Sequence, residues 1–392
     1  MKSVAKVSLV LIALCGTIAW AQPAPCPSIP PAPPGCVLGT LPGGADSLIC
    51  FPPPGTWNGD LIIYAHGYTP PRPTPVFQNL CTEDGMSIAA VAQGLGYAFA
   101  TTTYRDTGLV ILEGQLDLLE LAAAFRALSP IPPNHTFLIG ASEGGAIVTS
   151  VMEKNPGFAA GTLALCGPIG NFRKQIEYVG DFRVLFDYFF PRVIPGSAIN
   201  IPPQVIADWH TVYVPAIAAA VLANPKATSE LLATADAAFD PNAPATRLRT
   251  VLGVLWYNVF GTNDAVSKLG GNPYGNATRW YHGSSNDFRL NRLVQRVVAD
   301  PAARIALEQY ETTGAVNGAF VTLHTTGDEI VPFRQEVFYL FKVRLSPGAS
   351  YLPIPILRYG HCNFTIEEVL TAFAAMIRNA TGELPNLSLP AD

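Results

Sequence analysis

The chain has 392 residues with 24 basic and 29 acidic side chains, so its formal net charge is −5 and only 14% of its residues are charged. Because no cluster of Lys and Arg is present to neutralise phosphates, this composition argues against a nucleic-acid-binding protein. The length is sufficient for one large domain with a deep core and a sizeable insertion.

The N-terminus has the three parts of a secretory signal peptide. Two lysines form a basic head, residues 7–18 are mainly apolar, and Ala19-Trp20-Ala21 resembles a small-residue cleavage site. We therefore predict a signal peptide at residues 1–21, cleavage after Ala21, and a secreted or periplasmic protein. No later stretch is apolar for long enough to span a bilayer, so the sequence predicts no stable membrane insertion.

Six cysteines remain after the predicted cleavage, which is an even number. In an exported chain this favours disulfide bonds, although buried free thiols are the alternative. From proximity in the sequence we predict the local pairs Cys26–Cys36 and Cys50–Cys81. The other two cysteines are Cys166 and Cys362.

After a Pro-rich stretch at residues 22–35, predicted to be an extended arm, strand and helix patterns alternate. The run Leu61–Ala65 is apolar throughout, as in a parallel strand buried on both faces. Alternation at this spacing indicates right-handed βαβ units and a mostly parallel, doubly wound α/β sheet. The predicted strands are 37–41, 47–51, 61–65, 97–103, 136–139 and 162–166, and the predicted helices are 82–95, 113–128 and the segment ending near 154.

The alternation stops after the sixth strand. Residues 170–318 are aromatic-rich, broken by prolines and helical in pattern, so we predict a helical cap inserted into the sheet domain. The sheet then resumes, and residues 36–169 and 319–392 together form the predicted core. Its last elements are a strand at 319–324, a helix at 334–341, a strand at 352–359 and a helix at 366–377. Two prolines in the strand at 352–359 indicate an edge position.

The segment Thr136–Gly145 contains a Gly-x-Ser-x-Gly match between a predicted strand and a predicted helix. This context predicts a nucleophile elbow, in which Ser142 lies at a strained turn and at the N-terminus of a helix. We expect that a Cβ atom at Gly140 or Gly144 would collide with neighbouring backbone. A chance match is the alternative, because the chain holds 34 glycines.

A serine nucleophile needs a base and an acid that orients the base. Asp328 and His361 each follow a late predicted strand, at the sheet edge where Ser142 is expected, in the chain order nucleophile, acid, histidine. The competing acids are Glu329, Asp181 and Asp187. The other histidines are His66, His135, His210, His282 and His324, of which His324 lies within a strand and is expected to be packed.

The sequence His66-Gly67-Tyr68 follows the strand at Leu61–Ala65. We predict that it forms an oxyanion loop, in which the backbone N–H of Tyr68 pairs with that of Glu143 to hold a tetrahedral oxyanion. A plain turn after a strand is the alternative, and His66 itself is expected to be structural.

These motifs together resemble the α/β-hydrolase superfamily, and most of all its secreted bacterial serine esterases. The resemblance rests on Ala65-His-Gly-Tyr68, Gly140-Ala-Ser-Glu-Gly-Gly145 and Tyr359-Gly-His-Cys-Asn-Phe-Thr365. It implies an α/β-hydrolase fold, a Ser142–His361–Asp328 triad, and Tyr68 and Glu143 in the oxyanion hole. The His361-Cys362 pair is similar to tannases and feruloyl esterases, where cysteines beside the serine and the histidine are bridged. Here Ala141 precedes the serine, so that bridge cannot form, and a Cys166–Cys362 link near the site is one alternative.

We therefore predict a carboxylic ester hydrolase for small-molecule or polymeric esters, with apolar or aromatic substrates favoured by the aromatic cap. A prolyl peptidase or aminopeptidase is an alternative, with Glu177, Asp181 or Asp187 available to hold a substrate ammonium group. A catalytically silent, exported binding protein of the same fold is another. The sequence has no His-Glu-x-x-His, Cys-x-x-Cys or nucleotide-binding glycine motif, so we predict neither a metal nor a cofactor.

Overall fold

The computed structural model describes residues 32–82, 85–346 and 348–385, together with Ile29 and Leu387. The predicted signal peptide at 1–21 lies outside the described residues, as does most of the predicted arm at 22–35. The strands are β1 Cys36–Thr40, β2 Asp46–Cys50, β3 Leu61–Ala65, β4 Ala98–Thr102, β5 Thr136–Ala141, β6 Gly161–Leu165, β7 Ala319–Gly327 and β8 Ser350–Tyr359. The helices are α1 Ile88–Gly94, α2 Ile111–Leu128, α3 Glu143–Lys154, α4 Phe172–Phe189, α5 Pro203–Ala207, α6 Val214–Ala223, α7 Pro225–Ala235, α8 Ala245–Lys268, α9 Asp287–Leu293, α10 Pro301–Leu307, α11 Arg334–Val343 and α12 Ile366–Thr381.

The strands form one sheet in the order β1-β2-β4-β3-β5-β6-β7-β8. Strand β2 is antiparallel to both of its neighbours, whereas β4, β3 and all later strands pair in parallel. This order and this single reversal are those of the α/β-hydrolase fold, so the predicted fold class is confirmed.

The central strands are apolar throughout because both faces of the sheet are covered. In β3, Ile63 packs in a cluster with Leu121 of α2 and Ile147 of α3. The adjacent Ile62 points to the opposite face and packs in a second cluster with Phe373 of α12. Alternate residues of one strand thus belong to two separate cores, which is why the strand shows no polar face.

The helical insertion lies between β6 and β7, as predicted, and comprises α4 to α10. It has a hydrophobic core of its own, which includes Phe182, Trp209 and Leu255. Ile330 and Val331, from the loop after β7, pack into the same core, so the insertion is joined to the sheet at that loop. Among the described residues, no helix combines the length and the apolar character needed to cross a membrane.

Strand β8 has a neighbour only on one side, so the predicted edge position is confirmed. Pro353 lies opposite Thr322 of β7, and Pro355 lies opposite His324. Proline lacks an N–H group and is tolerated in a sheet where no neighbouring strand requires that donor.

The predicted local disulfides are wrong. Cys36 forms a disulfide with Cys50, because β1 and β2 are antiparallel and place these two residues directly opposite each other. This bond excludes both Cys26–Cys36 and Cys50–Cys81, although Cys81 is also disulfide-bonded. Cys166 and Cys362 form the link near the site that remained possible from the sequence.

Candidate active site

Ser142 lies in the turn between β5 and α3 with a φ of +56° and a ψ of −120°. The glycines around it leave no room for a side chain. A Cβ atom on Gly140 would lie 2.1 Å from the carbonyl oxygen of Gly144, and one on Gly144 would lie 2.1 Å from that of Ala65. These backbone contacts match the collisions expected from the sequence and hold the serine above the sheet.

The structure brings His361 into contact with both predicted partners. Its Nε2 atom lies 2.9 Å from the Oγ atom of Ser142, and its Nδ1 atom lies 2.7 Å from an oxygen of Asp328. With a proton on Nδ1, the ring donates to Asp328 and its Nε2 atom accepts from the serine hydroxyl. The three side chains come from loops after β5, β7 and β8, which end at the same edge of the sheet.

Asp328 is buried, and its environment favours the ionised form. Its Oδ1 atom accepts hydrogen bonds from the backbone N–H groups of Ile330, at 2.9 Å, and Val331, at 2.8 Å. Burial by itself would raise the pKa of this carboxyl group, but His361 and His324 face it and hold that pKa below its ordinary value.

The loop that carries His361 is fixed from two sides. The Thr325 hydroxyl donates to the carbonyl oxygen of Gly360 at 2.6 Å. The N–H of Gly360 in turn donates to the carbonyl oxygen of Gly327 at 3.1 Å. In addition, the Cys166–Cys362 disulfide ties the loop to the end of β6. The loop is therefore anchored both to β7 and to the end of β6.

The predicted oxyanion loop lies against the nucleophile. A Cβ atom on Gly67 would be 3.2 Å from that of Ser142, so the main chain here closely approaches the serine. The phenol of Tyr68 donates to the carbonyl oxygen of Phe260 in α8, while within the described chain its backbone N–H donates to no other group. His66 is buried, with Nδ1 2.8 Å from the carbonyl oxygen of Gly67, and burial lowers its pKa to about 4.

Glu143 contributes a feature that the sequence did not indicate. Its backbone N–H begins α3, where N–H groups have no partner within the helix. Its carboxyl group is buried, with one oxygen accepting from the N–H of Val110 at 3.0 Å. Burial raises the pKa of this group to about 8, so it is mainly uncharged at neutral pH.

A cavity of about 130 Å³ opens beside Ser142 and extends towards the insertion. Most of its wall is apolar and comes from helices α4 and α8, including Ile176, Val179, Tyr257 and Ala265. Such a wall suits an apolar group of a substrate more than a charged one.

The competing acids predicted from the sequence have other partners. Asp187 accepts from Arg183, and Asp181 accepts from Tyr274, Tyr281 and Arg279. The carboxyl group of Glu329 lies 3.8 Å from Arg249.

The other histidines are also placed away from Ser142. His135 pairs with Asp60 at the opposite end of β5. His210 and His282 are exposed on the insertion. His324 is buried beside Asp328 but makes no hydrogen bond with the serine.

One group of side chains in the described part of the chain has the spacing of a metal site, namely Cys166, His361 and Cys362. Its two sulfur atoms form a disulfide and cannot act as thiolate ligands. The histidine is already bonded to Ser142 and Asp328, so these residues do not fit a metal ion.

No known family model matches the sequence, and no curated protein matches it either. Among solved structures, the chain is similar to an acylaminoacyl peptidase from Pyrococcus horikoshii, with 11% identity over 91% of this chain and 42% of that one and a TM-score of 0.45. It is also similar to the Pyrococcus furiosus esterase PF2001, with 13% identity, 90% and 91% coverage and a TM-score of 0.45. A puromycin-hydrolysing peptidase from Mycobacterium tuberculosis shows 10% identity, 89% and 39% coverage and a TM-score of 0.48. The chain thus spans about two fifths of the length of these peptidases.

Proposed function

We propose that this protein is a serine hydrolase that cleaves carboxylic esters through an acyl-enzyme on Ser142. The observation that carries the proposal is the unbroken hydrogen-bonded chain from the Ser142 hydroxyl through both ring nitrogens of His361 to Asp328, at 2.9 and 2.7 Å. A serine alcohol is a weak nucleophile by itself, and this arrangement supplies the base and the orienting acid that activate it.

The reaction follows from the order of these contacts. His361 Nε2 takes the hydroxyl proton as Ser142 Oγ attacks the ester carbonyl carbon, and Asp328 stabilises the imidazolium that forms. The tetrahedral intermediate then collapses, the ester C–O bond breaks, and His361 returns the proton to the leaving alcohol. Water, activated by the same histidine, attacks the acyl-enzyme and releases the acid.

The developing oxyanion needs donors that are in place before the reaction. In the proposed mechanism, the backbone N–H groups of Tyr68 and Glu143 provide them, because Tyr68 follows the main chain that touches Ser142 and Glu143 begins α3. The uncharged state of the Glu143 carboxyl group at neutral pH supports this role, since a carboxylate next to the nucleophile would repel the oxyanion.

The cavity beside Ser142 supports apolar or aromatic esters as substrates, either small molecules or the accessible ends of a polymer. Its walls from α4 and α8 offer apolar side chains to an acyl or aryl group. The disulfides Cys36–Cys50 and Cys166–Cys362 are compatible with an exported enzyme, which is the localisation we propose together with the predicted signal peptide.

An aminopeptidase would need an acidic side chain in the insertion that is able to bind a substrate ammonium group. The three candidates are already engaged with cations. Glu177 contacts Arg173, Lys174, Arg279 and Arg304, Asp181 contacts Arg279, and Asp187 contacts Arg183. This pairing favours the esterase over the aminopeptidase.

The proposal is tested with p-nitrophenyl esters of increasing acyl length, alongside aminoacyl p-nitroanilides, using the mature protein. We expect ester turnover by wild type and a loss of about 10⁴-fold or more in kcat for Ser142→Ala. Ser150→Ala is the control, because Ser150 is a serine within α3, the helix that begins directly after Ser142. A fluorophosphonate probe should label wild type and Ser150→Ala but not Ser142→Ala. Equal turnover by Ser142→Ala would refute the esterase, and turnover of anilides alone would favour a peptidase.

A further inference from the structure

Asp328 contacts a second histidine on the side away from the nucleophile. His324, in β7, is 1% exposed, and its Nε2 atom lies 3.3 Å from the Asp328 oxygen that also contacts His361. The same Nε2 atom lies 2.8 Å from the carbonyl oxygen of Val331. The Nδ1 atom lies 3.1 Å from an oxygen of Glu336 in α11.

These neighbours determine the protonation state of His324. Its Nε2 atom faces only acceptors and must carry a proton to donate to the carbonyl oxygen of Val331. The second oxygen of Glu336 accepts from the hydroxyl groups of Thr322, at 2.7 Å, and Tyr351, at 2.6 Å. With a proton on Nδ1 as well as on Nε2, the ring is an imidazolium between the carboxyl groups of Asp328 and Glu336. Burial alone would lower the pKa of His324, but Asp328 and Glu336 raise it to about 10.

We infer that His324 is a positioning residue that shares the negative charge of Asp328 with His361 and so keeps the catalytic base unprotonated at lower pH. This inference rests on the proposed function, because it concerns the base of that reaction. It extends the triad into a chain of five groups, Ser142, His361, Asp328, His324 and Glu336.

A nearby carboxylate stabilises the protonated imidazole and raises its pKa, whereas a nearby cation lowers it. His324 and His361 both lie within 3.3 Å of one oxygen of Asp328, so the buried cation directly opposes the effect of the aspartate. Glu329 also faces His361 and is paired with Arg249. They have opposite signs and offset each other in part.

The inference is tested by the acidic limb of the pH profile of kcat/KM, which reports the base in the free enzyme. For His324→Gln we expect this limb to move to higher pH by about one unit, because two carboxylates then lack their shared cation. The double variant His324→Gln with Glu336→Gln removes one of those negative charges, so its limb should move back towards the wild-type position. Phe333→Leu is the steric control, since the Phe333 ring contacts the edge of His324 and carries no charge. The limb should stay in place in Phe333→Leu, and a limb that also stays in place in His324→Gln would overturn the inference.

A second measurement avoids variants that fold poorly. The chain has six histidines, so selective ¹⁵N labelling of histidine gives a simple ring spectrum for the wild-type protein. We expect one histidine with both ring nitrogens protonated from about pH 5 to pH 9, given the pKa of about 10. If every histidine shows an unprotonated ring nitrogen at pH 8, the imidazolium is absent and the inference fails. Labelling of Ser142 by the fluorophosphonate would in that case still support the proposed hydrolase, so the two failures are distinguishable.

Discussion

The catalytic edge of the sheet and the helical insertion hold their side chains in different ways. At the sheet edge, main chain packs on main chain, and a Cβ atom on Gly144 would lie 2.1 Å from the carbonyl oxygen of Ala65. In the insertion, Gly261 of α8 has room for a side-chain methyl group. A Cβ atom there would lie 3.5 Å from the Tyr68 hydroxyl oxygen, which is an ordinary van der Waals contact. The comparison indicates that main-chain packing fixes the turn at Ser142, while replaceable side chains shape the wall of the cavity beside it.

The largest effect that would test this comparison is expected at Asp328. Asp328→Asn keeps an oxygen for the N–H groups of Ile330 and Val331, but it no longer selects the Nδ1-protonated form of His361. We expect kcat to fall by about 10⁴-fold with folding retained, as measured by ester turnover and circular dichroism. Glu329→Gln is the neighbouring control and should change kcat by less than about 10-fold. A similar loss in both variants would contradict the assignment of the acid.

The second effect concerns the turn itself. Gly144→Ala places a methyl group against the carbonyl oxygens of Ala65 and His66, both of which are main-chain atoms that cannot rotate away. We expect the free energy of unfolding in urea to fall by about 3 kcal/mol, with activity reduced together with it. A free energy of unfolding equal to that of wild type would show that the main chain around Gly144 can move to accept a methyl group, which would contradict the rigid packing inferred for the sheet edge.

The third effect is a pH dependence at Glu143. With a pKa of about 8, this group gains a negative charge as the pH rises through 8, next to the site of the developing oxyanion. We expect kcat in the wild type to fall above pH 8, by about tenfold at pH 9. Glu143→Gln keeps the backbone N–H and removes the titrating group, so its profile should stay level through this range. A basic limb that persists in the variant would assign the fall to another group.

The smallest effect is expected in the insertion. Gly261→Ala replaces a glycine within α8 and adds one methyl group at the cavity wall beside Tyr68. We expect the protein to be more stable by up to about 1 kcal/mol, because alanine favours the helix. The ratio of kcat/KM for long and short acyl esters should shift by a few-fold towards the short ones, with kcat for acetate esters unchanged. A loss of all activity would contradict the division between the two regions.

The sequence predicted which residues lie at this edge of the sheet, because short local motifs at the ends of the strands identify them. The order of Ser142, Asp328 and His361 after successive strands, together with glycines that fit only a tight turn, was sufficient to predict that these three side chains lie close together, and the structure brings them into contact. Element ends were less accurate. Helix α1 was predicted from residue 82 but begins at Ile88, where the Ser87 side chain accepts from the N–H of Ala90.

What the sequence missed depends on contacts between distant segments. The partner of Cys36 is decided by the antiparallel register of β1 and β2, which proximity along the chain does not encode. The proposed role of His324 depends on Glu336, which lies in a different element and contacts the ring only once α11 has packed against β7. The spacing of four residues between His324 and Asp328 was the available signal, but in a strand it does not by itself show that the side chains meet.

Strand β8, which precedes the loop of His361, is also an edge strand of the sheet. Proline has no N–H group and is tolerated in a strand where no neighbour requires that donor, so Pro353 and Pro355 suit the free edge of β8. A strand from another molecule would find no main-chain donor at these two positions. The prolines therefore protect this edge strand against edge-to-edge pairing with other molecules, and they also protect the loop after it, which carries His361.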